Sequence, residues 1–412
     1  MLFVHCRFSD SISDELLASH RRPRYLAAVT TPASPSSVRV IQSQRELESV
    51  LGELVGEELL AVDTEAASFH RYLDRVYLLQ ISSRALTVVV DPLATSDLAR
   101  FGELLADPGV EIVFHDADYD LRLLEREFGF AATRLFDTRI AAQLLNEPGI
   151  GLAALLAKYF GLKVDKRFQR ADWSARPLSP GMIEYAASDT HYLPGLRDIL
   201  RDRLAAMGRL SWAEEEFALL ERVRWAAPTD QDEPAWLRMK GAKALRPRQM
   251  AILRELVEWR DSVAKRLDRA AFRVMGNEPM FVMAKAPPAD LDELAKVPGI
   301  GRDGIERRGT EILAAVQRGV RLPEGELPRI ERPARRPADP DFDARLERLK
   351  AVRNAEATRL ELAPGVLCPN GTLEAIVRRM PATLAQLREV PFVRRWQVET
   401  IGDALLAGLR TP

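Results

Sequence analysis

The chain has 412 residues, 47 % hydrophobic and 29 % charged, and its 59 Lys+Arg against 60 Asp+Glu leave a formal charge of −1. This composition supports two to four packed domains and argues against wholesale disorder or a chain-wide basic signature. Two cysteines, Cys6 and Cys368, cannot build a disulfide framework or a structural zinc site, and five scattered histidines argue against a His-based metal centre.

No apolar stretch approaches the ~20 residues of a membrane span. Arg7 and Asp10 break any signal-peptide core in MLFVHCRFSD, so the expected location is the cytoplasm. Charge is divided along the chain. Residues 1–229 hold 33 acids and 26 bases, residues 230–322 hold 14 and 18, and residues 323–412 hold 13 and 15. Within residues 236–273, 11 bases accompany 4 acids, which suits either a polyanion-binding segment or a solvated helix face.

Residues 1–37 lack periodicity and contain Pro23, Pro32 and Pro35, the pattern of a poorly ordered extension. From about Ser37 the chain becomes β-rich. Residues 59–65 (LLAVDTE), 77–82 (YLLQIS), 86–91 (LTVVVD) and 111–115 (EIVFH) read as strands, and a short fifth begins at Leu135. Three consecutive strands followed by βα units predict a mixed sheet flanked by helices. Asp63 and Glu65 are two apart on the first strand, so their carboxylates share a face, with Leu60, Val62 and Thr64 on the other. Spending two alternate positions of an apolar strand on carboxylates is expensive without a cation, unless the strand end lies in water.

After the fourth strand, DADYDLRLLE opens a helix. Asp116 suits its N-cap and Asp118 suits the positive end of its dipole. Asp120, a turn further in, is hardest to explain as a cap and is the functional candidate, against the alternative of an acidic cluster serving only the helix. In MIEYAASDTHYL (182–193), Tyr185 and Asp189 stand at i and i+4 on one helical face. This first body spans residues 38–226.

Residues 227–236 (APTDQDEPAW) read as a linker, and residues 323–341, with five prolines, as a semi-rigid spacer. They bound two helical units, residues 237–322 and 342–412. A gapless shift of 93 residues places Arg260 on Arg353, Asn277 on Asn370, Leu291 on Leu384, Val297–Pro298 on Val390–Pro391 and Gly309 on Gly402. The copies differ in charge, because Lys265, Arg269 and Arg273 become Thr358, Leu362 and Val366. VPGIG at 297–301 becomes VPFVR, losing both glycines.

The order D-x-E, then Asp, then Y-x-x-x-D, in VDTE, HDADYD and YAASD, resembles the DEDD superfamily of 3′→5′ exonucleases, in the subclass with tyrosine in its third motif. LLQIS around Gln80, FDT at 136–138 and KRFQRADWSARPLS at 166–179 extend the likeness. The repeated units resemble the HRDC domain, and over residues 38–410 the chain resembles the ribonuclease D family. The resemblance implies an α/β ribonuclease-H-like exonuclease domain followed by two all-α HRDC-like domains, the second degenerate. It implies Asp63, Glu65, Asp120 and Asp189 as ligands of two divalent cations, Mg²⁺ or Mn²⁺, with Tyr185 completing the catalytic set.

The implied activity is hydrolysis of RNA from the 3′ end to nucleoside 5′-monophosphates. RNA with an accessible 3′ end, tRNA precursors included, is the expected partner of a monomeric enzyme. Asp116 departs from the family pattern, where a small or amide residue is usual.

Four carboxylates crowded together repel one another, and two divalent cations relieve that repulsion while bridging a phosphodiester. Tyr185, with an ordinary pKa of about 10, is a poor base at neutral pH and is assigned to orienting water. His191 falls on another side of its helix. Phe69, Gln80 and His115, near strand ends, are candidates to grip the terminal sugar or base. Lys166, Arg167 and Arg170 are candidates for backbone phosphates, and Lys265, Arg269 and Arg273 for nucleic acid on the first HRDC unit. Trp173 reads as a packing anchor. Competing functions are a DNA 3′→5′ exonuclease, since carboxylates do not read the 2′-OH, and a catalytically inactive RNA-binding adaptor.

Overall fold

The computed structural model describes residues 38–227, 229, 232–330 and 339–410. The expected extension at 1–37 lies outside the described residues, as do parts of both linkers. Six strands form one mixed sheet: β1 (Arg39–Ile41), β2 (Leu59–Ala66), β3 (Val76–Ser82), β4 (Thr87–Val90), β5 (Glu111–Phe114) and β6 (Leu135–Asp137). Their order is β1-β4-β3-β2-β5-β6. β3 alone runs antiparallel to its neighbours; the other pairs are parallel. Edge strand β1, three residues long, is too short for any alternation to reveal it in the sequence. Every residue of β3 is buried, which is why VYLLQIS reads as a nearly continuous apolar run.

Among the described residues, eight helices flank this sheet: α1 (Gln44–Leu54), α2 (Ala99–Ala106), α3 (Asp118–Phe128), α4 (Thr138–Leu144), α5 (Leu152–Phe160), α6 (Pro180–His191), α7 (Leu193–Ala206) and α8 (Leu210–Leu220). Leu79 and Ile81 of β3 point into the main core with Leu47, Leu51 and Phe101 of α1 and α2. Leu78 and Val89 point the other way, where Ala186 and Ala187 of α6 and the fully buried Trp173 close a smaller core. Asp63 and Glu65 lie on that second face, because β2 pairs them with Gln80 and Leu78.

The first helical module comprises α9 (Pro247–Arg266), α10 (Ala271–Val274), α11 (Asn277–Lys285), α12 (Leu291–Leu294) and α13 (Arg302–Arg321). The second comprises α14 (Phe342–Arg359), α15 (Pro364–Leu367), α16 (Asn370–Arg379), α17 (Leu384–Arg388) and α18 (Arg395–Arg410). From α10 onward each helix begins 93 residues before its counterpart. Arg260 donates to Asn277 at 2.7 Å and to the Met275 carbonyl at 3.2 Å, while Arg353 donates to Asn370 at 2.7 Å and to the Cys368 carbonyl at 3.1 Å. A Cβ on Gly309 would meet Leu291, and one on Gly402 would meet Leu384, each at 2.7 Å. The repeated glycines are therefore demanded by the same close crossing.

The copies are used differently. The first has its own core, which includes Trp236 from the segment that sequence reading places in the linker. The core of the second is continuous with that of the exonuclease domain. Trp396 stacks on Trp212 of α8 at 4.8 Å and donates its indole N–H to Glu216 at 2.9 Å, and Arg394 pairs with the same carboxylate at 3.0 Å. The amides of Arg395 and Trp396 donate to Glu215, placing a carboxylate at the positive end of α18. Phe392, at φ 69°, holds the left-handed backbone that Gly299 holds at φ 85° in the first copy. The turn thus survives the loss of glycine with local strain; Phe392 stays exposed, and Arg394, in place of the second glycine, anchors the module on Glu216. Leu362 and Val366 stand where the first copy has Arg269 and Arg273, and both pack into this joint core.

Candidate active site

α6 begins where Ser179 accepts the Met182 amide and Pro180 supplies a preset φ, so Tyr185 and Asp189 project from one face over β2 and β3. One oxygen each from Asp63, Glu65 and Asp189 lies within 4.8 Å of the others. Asp120 approaches from α3, on the opposite side of β2. Thr64, facing that side, donates its hydroxyl to Asp120 Oδ1. The pleat that aligns Asp63 with Glu65 thereby gives the intervening threonine to the third acid. The sequence pattern alone gives Thr64 no role beyond the far face of the strand, although its position between the two acids is the signal that points to it.

The electrostatics are those of a site prepared for cations. Burial, then the charges of Asp120, Asp189 and Glu65, push the Asp63 carboxyl well above its ordinary range. Glu65 is raised by burial and by Asp189 and Asp120. Burial pushes Asp120 up to about 7 against the opposing Thr64 hydrogen bond, and burial takes Asp189 to about 7. Among the described residues, no Lys or Arg side chain is a leading influence on any of these four. A donor set of hard carboxylate oxygens without His or Cys fits Mg²⁺-like ions. The Tyr185 hydroxyl is raised further above its ordinary pKa by burial and by Asp189, Glu65 and Asp63, which disfavours a phenolate base. Its ring is held 6.0 Å from Trp173 and 6.1 Å from Phe168.

Other expected residues are placed differently. Gln80 is fully buried opposite Asp63, and neither polar atom of its amide has a hydrogen-bond partner, so it is not disposed to grip an RNA end. The sequence suggested a strand end, whereas the register puts Gln80 inside β3. Asp116 does not cap α3. It adopts φ 72° and pairs with Arg139, while the helix begins after Ala117 without a side-chain cap. The buried Asp137 accepts the Ala117 amide and also caps α4, a job that only the β5–β6 pairing could assign.

The single hydroxyl proton of Thr138 goes to the Phe114 carbonyl, so His115 Nδ1 must donate to Thr138 at 2.9 Å. Burial and then Arg139 lower His115 to about 4, which keeps it neutral. His191 lies away from the carboxylates, its Nδ1 2.8 Å from the Thr87 hydroxyl.

Lys166, Arg167 and Arg170 are exposed on the loop before α6. Arg167 pairs with Asp165 at 2.5 Å, and the Arg170 guanidinium lies 5.2 Å from the exposed Phe69 ring. Lys265 and Arg269 are exposed, whereas Arg273 is committed to the Phe69 carbonyl.

A helix-flanked mixed sheet with converging strand and helix carboxylates fits the class of metal-dependent 3′→5′ exonucleases. A family profile described as 3′-5′ exonuclease matches residues 38–205, and the HRDC domain profile matches residues 249–316 and 342–409. Ribonuclease D of Granulibacter bethesdensis is 33% identical over 378 residues, 90% of this chain and 92% of that protein. The crystal structure of Escherichia coli RNase D, described as an exoribonuclease involved in structured RNA processing, superposes with a TM-score of 0.66 at 26% identity, covering 90% of this chain and 98% of that one. The catalytic core of RRP6 from Trypanosoma brucei gives 0.63 at 27% identity, covering 71% and 81%. The chain belongs to the ribonuclease D family and is a 3′→5′ exoribonuclease.

Proposed function

We propose that this exoribonuclease removes nucleoside 5′-monophosphates one at a time by a two-metal-ion mechanism. Its proposed substrates are structured precursors with free 3′ ends, tRNA precursors among them, which it trims as a cytoplasmic monomer. The convergence of Asp63, Glu65 and Asp189 carries the mechanistic reading. The role described for the Escherichia coli relative supports structured RNA as substrate. Among the described residues, no helix is long and apolar enough to cross a membrane.

Asp63, Glu65 and Asp189, half-buried on one side of β2, together with the buried Asp120 would hold the cations, Mg²⁺ or Mn²⁺. Bound there, two such ions supply an activated water and charge stabilisation for the departing 3′ oxygen. Tyr185 keeps its proton and offers its hydroxyl to orient the attacking water. Thr64 holds the Asp120 carboxylate on the far side of β2, which limits its freedom to turn away from the cluster.

A time course on a short 5′-labelled RNA, with Mg²⁺, Mn²⁺ or EDTA, tests this reading. A ladder shortening by single nucleotides, absent in EDTA and in Asp63→Ala, is expected. Unchanged trimming by Asp63→Ala would refute the assignment, and faster cutting of matched DNA would favour a DNA exonuclease. A tRNA precursor with a 3′ extension, shortened to a discrete end, tests the substrate assignment.

A further inference from the structure

The loop at residues 67–75 carries the chain away from β2 and docks on the turn joining α9 and α10. The Ala270 amide donates to the His70 carbonyl at 3.1 Å, the Tyr72 amide donates to Asp268 at 3.2 Å, and the Tyr72 hydroxyl donates to Asp261 at 2.9 Å. Arg273 donates to the Phe69 carbonyl. On its other side the loop is tied to the segment before α6, with His70 Nε2 3.0 Å from the Arg170 carbonyl. That segment also brings Phe168 against Tyr185.

This seam is well bonded, yet it leaves one aromatic ring from each domain in solvent. Phe69 is 42% exposed and Phe272 is 53% exposed, with centroids 6.2 Å apart and planes at 75°. Packing alone would favour burying such rings or replacing them with polar residues. Around the rings, cations without a carboxylate partner outnumber free carboxylates, of which Asp261 accepts the Tyr72 hydroxyl. Arg170, Lys265 and Arg269 are exposed and have no carboxylate partner among the described residues, whereas the nearby Arg71 and Arg266 are paired with Asp268 and Glu311. Exposed rings beside cations without carboxylate partners, with the Arg170 guanidinium already 5.2 Å from the Phe69 centroid, are the chemistry that holds single-stranded nucleic acid, with nucleobases on rings and phosphates on cations. Phe69 follows Glu65 by four residues, at most about 14 Å of chain, so the rings lie within a few nucleotides of the carboxylates.

We propose that Phe69 and Phe272 form a stacking subsite for an unpaired RNA base a few nucleotides upstream of the 3′ end, assembled only when the first HRDC module is docked on the exonuclease domain. The proposal rests on the exoribonuclease reading and adds to it where the substrate strand is gripped. A base in a duplex cannot enter such a subsite, so trimming slows as a helical stem reaches the seam.

Abasic scanning tests this with the full-length chain. Binding of a fluorescent single-stranded RNA is measured by anisotropy in EDTA, with one base at a time removed near the 3′ end. For the wild type, one or two adjacent abasic positions weaken binding roughly tenfold, the size of one lost base–aromatic stack. Phe272→Leu, which fills the seam without a π-face, weakens intact RNA by a similar factor and leaves the critical abasic RNA unaffected; Phe272→Trp restores the wild-type pattern.

Equal weakening of intact and abasic RNA by Phe272→Leu, or no weakening at all, would overturn the proposal and leave the rings as domain glue. A wild type that binds with this pattern yet makes no ladder in Mg²⁺ or Mn²⁺ would instead fail the catalytic reading, so the two failures are distinct.

Discussion

Replacing Asp120 with Asn is expected to stabilise the cation-free enzyme at pH 8. The Asp120 carboxyl is raised from 3.8 to about 7, chiefly by burial. At about 1.36 kcal/mol per unit, its ionised form costs the fold on the order of 4 kcal/mol above pH 7. The sign follows from proton uptake. The folded state holds a proton that the unfolded state has already lost between pH 4 and 7. The penalty is therefore absent below pH 4, grows through that window and is complete above it.

Asparagine keeps the shape and can still accept the Thr64 hydroxyl. At about 2–4 °C per kcal/mol for a domain of this size, melting in EDTA at pH 8 should rise on the order of 10 °C, with almost no difference at pH 4. Saturating Mg²⁺ should reverse the ranking, because the wild type gains binding energy that the variant has lost. Melting curves at both pH values, with EDTA or Mg²⁺, provide the assay. A variant less stable than wild type at pH 8 in EDTA, or one with the same advantage at both pH values, refutes the reasoning.

Tyr185→Phe should leave melting and RNA affinity in EDTA near wild type, since its ring packing is retained, while lowering kcat on the order of a hundredfold; loss of affinity would point to a binding role. Gln80→Met removes a fully buried amide without partners, so melting in EDTA should show a gain of about 1–3 kcal/mol. A loss would mean that the amide is satisfied in solution. Trp396→Ala should cost about 3–5 kcal/mol and, through the shared core, speed hydrogen exchange in α8 as well as α18; an effect confined to α18 would show that the cores are uncoupled. Reversing Lys265 and Arg269 to Glu should weaken RNA binding and flatten its salt dependence by about 1.4 in log–log slope, whereas Thr358→Glu should do neither.

Local patterns determined much of this protein from sequence alone. Strand alternation puts Asp63 and Glu65 on one face and helical spacing stacks Tyr185 over Asp189, because both follow from the geometry of a single element. The 93-residue repeat is legible for the same reason, since an Arg–Asn bond and a glycine crossing recur wherever the same helices meet. Other features depended on partners distant in the chain. Asp137 rather than Asp116 serves the start of α3, Gln80 is buried opposite Asp63, and Thr64 meets Asp120 across 56 positions.

Nor could composition tell that one helical module keeps an exposed basic face while its copy merges into the exonuclease core. Its lost charges hinted at a different role, but only the docking of Trp396 on Trp212 shows that role to be structural. A side chain's neighbours within its own helix or strand are set by the backbone repeat, whereas those across a domain seam exist only after the chain has packed.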